Sequence, residues 1–206
     1  MAVDKKLIKS AGEHWVCSVL SRLGWAAALT RDGVERTDIL AVHPDGLQIS
    51  IQVKTSSYMK RPRFRIGAKG CAPARSSFEW FVLVALGRTE LETPRAFVVP
   101  RDHLAAGAWI QHMEWLTNPT AKPGTRNAPI EACVVDGWMF ERYEQQWGLL
   151  HEKADGLAVL LPPRCRSLAR NRRVMLPPGH RWATKPPKWD TAESSSSWSE
   201  FWRTEP

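Results

Sequence analysis

Cysteine is scarce in this chain: of 206 residues only Cys17, Cys71, Cys133 and Cys165 are cysteines, widely spaced and without a Cys-x-x-Cys pair. That excludes a dense disulfide framework and a cysteine-built structural zinc site, and it predicts reduced thiols in a cytoplasmic protein. No apolar run approaches the roughly 18 residues of a membrane span, and Met1 to Lys6 lead into a helical pattern instead of an apolar signal segment. A soluble protein without a membrane role is expected. No internal repeat is present, and no serine or cysteine nucleophile has a recognisable base beside it. His14, His103 and His112 lack ligand spacing to one another, and "HEK" at His151 lacks the second histidine of a zinc protease.

What is present is a globular composition, 43% hydrophobic, with a formal charge of +8. The length suits one good core with an appendage, and clustered Lys and Arg suit an anionic partner such as a phosphate backbone. From Lys5 to Leu23 the apolar residues Leu7, Ile8, Ala11, Trp15, Val16, Val19, Leu20 and Leu23 recur at three- and four-residue steps, and Gly24 stops the pattern. This predicts an amphipathic helix. Strands are predicted at Trp25 to Thr30, Thr37 to His43, Leu47 to Lys54, Phe78 to Leu86, Arg95 to Val99 and Ile130 to Val135. Helices are predicted at Arg101 to Trp115 and Met139 to Leu150. Trp138, Phe140, Tyr143 and Trp147 recur at helical steps and read as core.

After about Lys153 the composition shifts to paired prolines, arginines and a serine run, which divides the chain into a domain over 1–153 and a basic Pro/Trp/Ser-rich tail or linker over 154–206. From Leu160 to Pro206 nine Lys or Arg face four acids. Trp182, Trp189, Trp198 and Trp202 lie there too. Aromatics among arginines can stack on bases, dock on a protein partner or fold back onto their own domain, and all three readings stay open. The arginine-rich half, Arg164, Arg166, Arg170, Arg172 and Arg173, is assigned to nucleic acid, and "WSEFW" to a protein partner.

The stretch "LQISIQVKTSS", Leu47 to Ser57, carries the chemistry. Leu47, Ile49, Ile51 and Val53 form one face of a strand; Gln48, Ser50, Gln52 and Lys54 form the other. If Pro44-Asp45-Gly46 is a three-residue hairpin loop, His43 pairs with Leu47 and Asp38 falls opposite Gln52, so Asp38, Gln52 and Lys54 share a face. A one-residue slip would send Asp38 to the other face. Glu13 precedes Leu20 by seven residues, within about twenty degrees of it around a helix, so its carboxylate leans toward the buried stripe. Buried there, it needs a compensating charge, from Lys54 or a divalent cation. Two carboxylates, an amide oxygen and a lysine suit metal-activated water and a phosphate gaining charge.

The segments "GEHWVCSVLSRLGW", "TDILAV" and "ISIQVKTSS" resemble the PD-(D/E)XK nuclease superfamily, in particular small bacterial members with Gln-x-Lys in the third motif. The similarity continues through "FEWFVLVAL", "AFVVPRDHL" and "FERYEQQWGLL", roughly Lys5 to Leu150. The resemblance implies an α/β restriction-endonuclease-like fold, a mixed central sheet flanked by helices. It also implies a Mg2+- or Mn2+-dependent endonuclease acting on DNA, with RNA as an open alternative and a homodimer as one arrangement. Carried over by residue, Glu13 is the acid of the first helix, Asp38 the metal-binding aspartate, Gln52 the stand-in for the usual acid and Lys54 the lysine. Glu13, Asp38 and Gln52 are then the metal ligands. Two positions depart from the pattern: Thr37 stands where proline usually precedes the aspartate, and Gln52 offers a neutral oxygen that holds a cation less firmly than a carboxylate. A second class follows from Gln52 and the basic tail: a nuclease fold kept for binding nucleic acid or protein without turnover.

Beside this constellation, Lys60, Arg61, Arg63, Arg65 and Lys69 form an acid-free basic run read as a phosphate-contacting loop. Asp32 and Glu35 read as solvated charges or as auxiliary carboxylates near the metal. Thr55 and Ser56 read as strand-end caps or phosphate contacts.

Overall fold

The computed structural model describes residues 4–31, 34–57, 60–122 and 124–190. Helix α1, Lys5–Arg22, opens where the Asp4 side chain accepts the Lys6 amide at 2.9 Å, satisfying a donor that the helix leaves orphaned. Strands β1 (Ala26–Leu29), β2 (Ile39–Val42) and β3 (Gln48–Ser56) form an antiparallel meander. The β2–β3 turn closes with Gly46 at φ +90°, a conformation a Cβ would strain, and the His43 amide donates to the Leu47 carbonyl at 2.8 Å. The expected hairpin register holds, with Ile39 facing Ile51 and Ala41 facing Ile49.

Strand β4 (Arg63–Arg65) and the single helical turn α2 (Gly67–Gly70) lead to β5 (Glu79–Ala85), which runs parallel to β3, and β6 (Arg95–Pro100) returns antiparallel. The result is a five-stranded mixed sheet in the order β1-β2-β3-β5-β6. Helix α3, Arg101–Leu116, follows β6 directly, and β7 (Val134–Asp136) pairs with β4 as a separate ribbon. The fold is thus the expected mixed central sheet flanked by helices. Because β5 is buried on both faces, it reads as a continuous apolar run.

The sheet separates two cores. On one face, Val16 and Leu20 of α1 pack on Ile39, Ile51, Val53, Trp80 and Val82. On the other, Leu104 and Ala108 of α3 pack with Phe81, Leu83, Phe97, Val99 and Phe64 of β4.

Several expected elements differ. The basic run at 60–70 contains β4 and α2 instead of a loop, because Phe64 and Ile66, only 1% and 5% exposed, anchor it to the α3 core. The helix expected over Met139 to Leu150 is two 3-10 stretches, Gly137–Tyr143 and Trp147–His151. Tertiary contacts break it: Arg95 grips Glu144 with two hydrogen bonds of 2.7 Å, and the Gln145 amide, at φ +54°, donates to the Ala96 carbonyl at 2.8 Å. A 3-10 turn, Ile130–Ala132, replaces the first half of the strand expected at Ile130 to Val135.

The segment from 154 to 190, expected as tail or linker, adds Val159, Leu161, Cys165, Val174 and Trp182 to the α3 core. It includes one short helix, α4 (Arg164–Leu168). Arg181 ties it down, pairing with Asp102 on the first turn of α3 and with Asp155. Trp182 is buried and meets Trp189 in a T-shaped contact at 5.7 Å, the fold-back arrangement. Trp198 and Trp202, with the protein-docking role assigned to them, lie outside the described residues. Among the described residues no helix is long and apolar enough to cross a membrane, and all four cysteines are free.

Candidate functional site

The site begins where β2 runs out. Its ladder to β3 ends at Ile39–Ile51, while β3 continues to Ser56. At this point the Asp38 amide donates to the Ile51 carbonyl at 2.9 Å, so Asp38 and Ile39 both address one residue of β3. That is the geometry of a bulge, which redirects the side chain before it. Asp38 therefore does not sit squarely opposite Gln52. Its Oδ2 accepts the Val53 amide at 2.8 Å, replacing the backbone carbonyl that β2 no longer supplies.

The redirected carboxylate meets α1. Lys9 Nζ stands 3.3 Å from Glu13 Oε1 and 3.9 Å from Asp38 Oδ1, so one cation serves two acids from distant parts of the sequence. The Glu13 side chain is 13% exposed, as its place near the buried stripe predicts. Lys54 lies among these charges. Burial pushes its ammonium below the ordinary lysine range, Asp38 and Glu13 draw it back up, and Lys9 and Arg101 oppose them.

Gln52 turns to a different partner. Its Oε1 accepts both terminal nitrogens of Arg101, at 3.2 and 3.1 Å. Arg101, the first residue of α3, is 1% exposed; its Nε pairs with Glu79 at 3.0 Å and its guanidinium lies 4.6 Å from the Phe81 ring centroid. Burial, with the nearby Arg36 charge, pulls Arg101 down to about 10. Burial favours the neutral Glu79 carboxyl, yet hydrogen bonds from Arg36 and the Arg75 amide, with the charges of Arg36 and Arg101, outweigh it and hold Glu79 below its usual range.

The expected constellation is thus divided. Glu13 and Asp38 converge on Lys9; Lys54 shares their field; Gln52 is locked to Arg101. The sequence reading missed Lys9, Arg101, Arg36 and Glu79. Lys9 was detectable as the residue four before Glu13 on the same helix face, whereas the Arg101–Glu79 pair joins a helix start to a strand start and leaves no local signal.

The carboxylates suit a hard cation, since two acids already share one. Gln52 fits less well, because its oxygen is committed to a guanidinium.

Of the basic run, Lys60, Arg61, Arg63, Arg65 and Lys69 are exposed, with Arg63 on Asp136 at 3.0 Å and Lys69 on Glu35 at 3.3 Å. Glu35 is thereby a surface partner of Lys69; Asp32 lies outside the described residues. Arg61, Arg63, Arg95, Phe97, Trp138 and Glu141 help line a cavity of about 370 Å³, to which Glu13, Asp38, Gln52 and Lys54 do not contribute. Arg164, Arg166, Arg170, Arg172 and Arg173 are all exposed. Arg164 lies over Trp138 at 4.9 Å and pairs with Glu114 at 3.5 Å, and Arg173 reaches the Thr117 carbonyl at 3.4 Å. Thr55 packs against α1 at Gly12, and the Ser56 hydroxyl donates to the Ser57 carbonyl at 3.1 Å, so both are used structurally.

No protein-family model matches the chain, and no curated protein matches it in sequence. Among solved structures, a bacterial homing endonuclease is similar at a TM-score of 0.44 and 15% identity, covering 72% of this chain and 95% of that one.

Proposed function

We propose that the chain is a divalent-metal-dependent endonuclease of the PD-(D/E)XK type, acting on DNA. The observation that carries this reading is the convergence of Glu13 and Asp38 on a single cation, with Lys54 half-buried in the same field. The acids come from a helix and from the strand before a Gln-x-Lys, as the resemblance requires. Glu13 and Asp38 would hold Mg2+ or Mn2+, with Gln52 joining only if Arg101 releases its oxygen. Bound there, the metal would supply a water nucleophile at neutral pH and Lewis acidity toward a phosphate oxygen. Asp38 is oriented for this role by the Val53 amide, which fixes one carboxylate oxygen and leaves the other toward α1. Lys54 places a poorly hydrated ammonium against a phosphate gaining charge, where a charge in a low-dielectric setting acts most strongly. The exposed arginines of β4 and of 164–173 would carry the DNA backbone.

The test is cleavage of single-stranded, double-stranded, branched and modified DNA, and of RNA, by the full chain with Mg2+ or Mn2+. Asp38→Ala and Lys54→Ala should each abolish cutting while circular dichroism stays unchanged. Failure of the wild-type chain to cut any of these at high concentration would overturn the proposal. A second reading has its own observation: with Lys9 between the acids and Arg101 on Gln52, the site is already neutralised, as suits a module that binds nucleic acid without turnover. Calorimetry separates the two. Magnesium heat that disappears in Asp38→Ala favours the enzyme; metal-independent DNA binding without magnesium heat favours the module.

A further inference from the structure

At the opposite end of β2 from Asp38, two imidazoles and a carboxylate converge. His43 directly follows β2, Asp45 lies in the hairpin turn, and His151 ends the 3-10 stretch Trp147–His151, over a hundred residues later. One ligand atom from each lies within 4.8 Å of the other two. His43 Nδ1 is 3.0 Å from Asp45 Oδ2, while the other Asp45 oxygen accepts the Leu47 amide at 2.9 Å. Asp45 is therefore held by the turn with one oxygen directed at His43. The imidazoles meet edge to face with centroids 4.8 Å apart, and Trp25, only 2% exposed, lies 5.0 Å from one ring and 5.1 Å from the other.

We infer that His43, Asp45 and His151 form a binding site for a borderline transition-metal ion, with Zn2+ as the natural occupant and Ni2+ or Cu2+ as alternatives. Neutral imidazole is the ligand such ions prefer, and two imidazoles with one carboxylate match a three-ligand site that leaves a fourth position for water. Tetrahedral zinc bonds near 2.0–2.1 Å place donor atoms roughly 3.3 Å apart. The His43–Asp45 pair meets this already. His151, exposed and at the end of its helical turn, can close the remaining gap, at most about 1.5 Å from the 4.8 Å separation, by a side-chain rotation. The ion would clip the β2–β3 hairpin to the chain after Trp147, so binding energy appears as fold stability. None of the three residues belongs to the Glu13–Asp38–Lys54 site, so the inference stands or falls independently of the nuclease reading.

The experiment is a zinc titration of the full chain in excess Mg2+, followed by calorimetry, Trp fluorescence with Cu2+ as quencher, and thermal melting. Wild type should bind one zinc per chain, and its Tm should rise by about 5 °C or more at a hundredfold excess over Kd. His151→Ala and Asp45→Asn should each weaken zinc at least tenfold and remove most of the Tm rise. His14→Ala, at an exposed histidine on α1, should leave both unchanged. Equal zinc affinity in His151→Ala and wild type, or binding without a Tm rise, would overturn the site. If Asp45→Asn unfolds the hairpin, His151→Ala alone decides.

Discussion

Replacing Gly12 with alanine should move the site without touching any of its charged groups. A Cβ built at Gly12 would lie 2.0 Å from Thr55 Oγ1, 2.9 Å from Thr55 Cγ2 and 3.0 Å from Thr55 Cβ. One χ1 rotamer of Thr55 turns its hydrogen toward Gly12, but a branch then still fills the second close position, and Thr55 Cβ, which rotation does not move, stays at 3.0 Å. Relief must come from backbone movement of α1 away from β3. Alanine gains about 1 kcal/mol of helix propensity over glycine, and overpacking at such a contact costs about 3 kcal/mol, the upper part of its usual range. The net loss is about 2 kcal/mol, or roughly 4–8 °C of Tm for a chain of this size. Helix α1 also carries Lys9 and Glu13, so any cleavage or magnesium heat should fall more than the stability loss accounts for. Adding Thr55→Ala removes two of the three close atoms and should restore most of both. Thermal melting and magnesium calorimetry on the four members of this cycle provide the test. If Gly12→Ala leaves Tm and magnesium binding unchanged, close approach at Gly12 does not set the position of Glu13, and the reasoning fails.

Arg101→Met should lower Tm, by about 3 kcal/mol of stability, since Glu79 loses a buried partner. It should also raise magnesium affinity by releasing Gln52; calorimetry alongside melting reads both effects. Tyr143→Phe removes a hydroxyl that accepts the Leu160 amide at 2.8 Å and pairs with His103 Nδ1 at 2.8 Å, stranding buried polar atoms, and should cost roughly 1–3 kcal/mol in urea unfolding. Burial, with the charges of His180 and Arg181, pushes His103 down to about 3 from an ordinary 6.5, so the unfolded chain binds the proton first. Stability should be full above pH 6.5 and fall by up to about 1.4 kcal/mol per pH unit as pH drops toward 3; His103→Gln should flatten that slope. Substituting Arg166, Arg170 and Arg172 together with Gln should reduce the slope of log DNA affinity against log salt by about 0.9 for each phosphate no longer neutralised. An unchanged slope would remove that surface from the interface.

The sheet was legible because its signals are local. Alternation in Gln48–Ser56, the Pro44-Asp45-Gly46 turn and the unbroken apolar run of Glu79–Ala85 each follow from neighbouring residues, and the register followed from loop length alone. Asp38 was legible as a residue but not in its direction, since the bulge depends on β2 ending before β3, and a bulge costs the sequence only one unpaired position. The packing of 154–190 was hidden by composition: prolines and arginines mark loop and surface, while its anchors, Val159, Leu161, Val174 and Trp182, are too far apart to show a period. The helix expected over Met139 to Leu150 failed for the opposite reason. Of its periodic aromatics Phe140 and Tyr143 are buried and Trp138 and Trp147 pack half-buried against the cores, but the Arg95–Glu144 pair imposes a break no local propensity records.

The difference in length between β2 and β3 accounts for where the charges gather. Four residues of β2 cannot cover nine of β3, so from Gln52 onward the edge of β3 opposite β5 is flanked by side chains and α1 instead of a strand. That gap admits Asp38, brings Glu13 within reach and leaves Lys54 half-buried. The two halves of the site differ in how readily they exchange partners. The Lys9 side chain is 52% exposed, and a half-exposed ion pair contributes only about 0.2–1 kcal/mol, so a divalent ion can displace it at small cost. Arg101 is buried, hydrogen-bonded to Gln52 and paired with Glu79, and displacing it would strand a charge in the core. On the proposed reading, metal therefore enters from the α1 side by replacing Lys9 between Glu13 and Asp38. Gln52 and Arg101 then form the fixed wall of the site, where a guanidinium neighbour is better suited to a phosphate than to a cation.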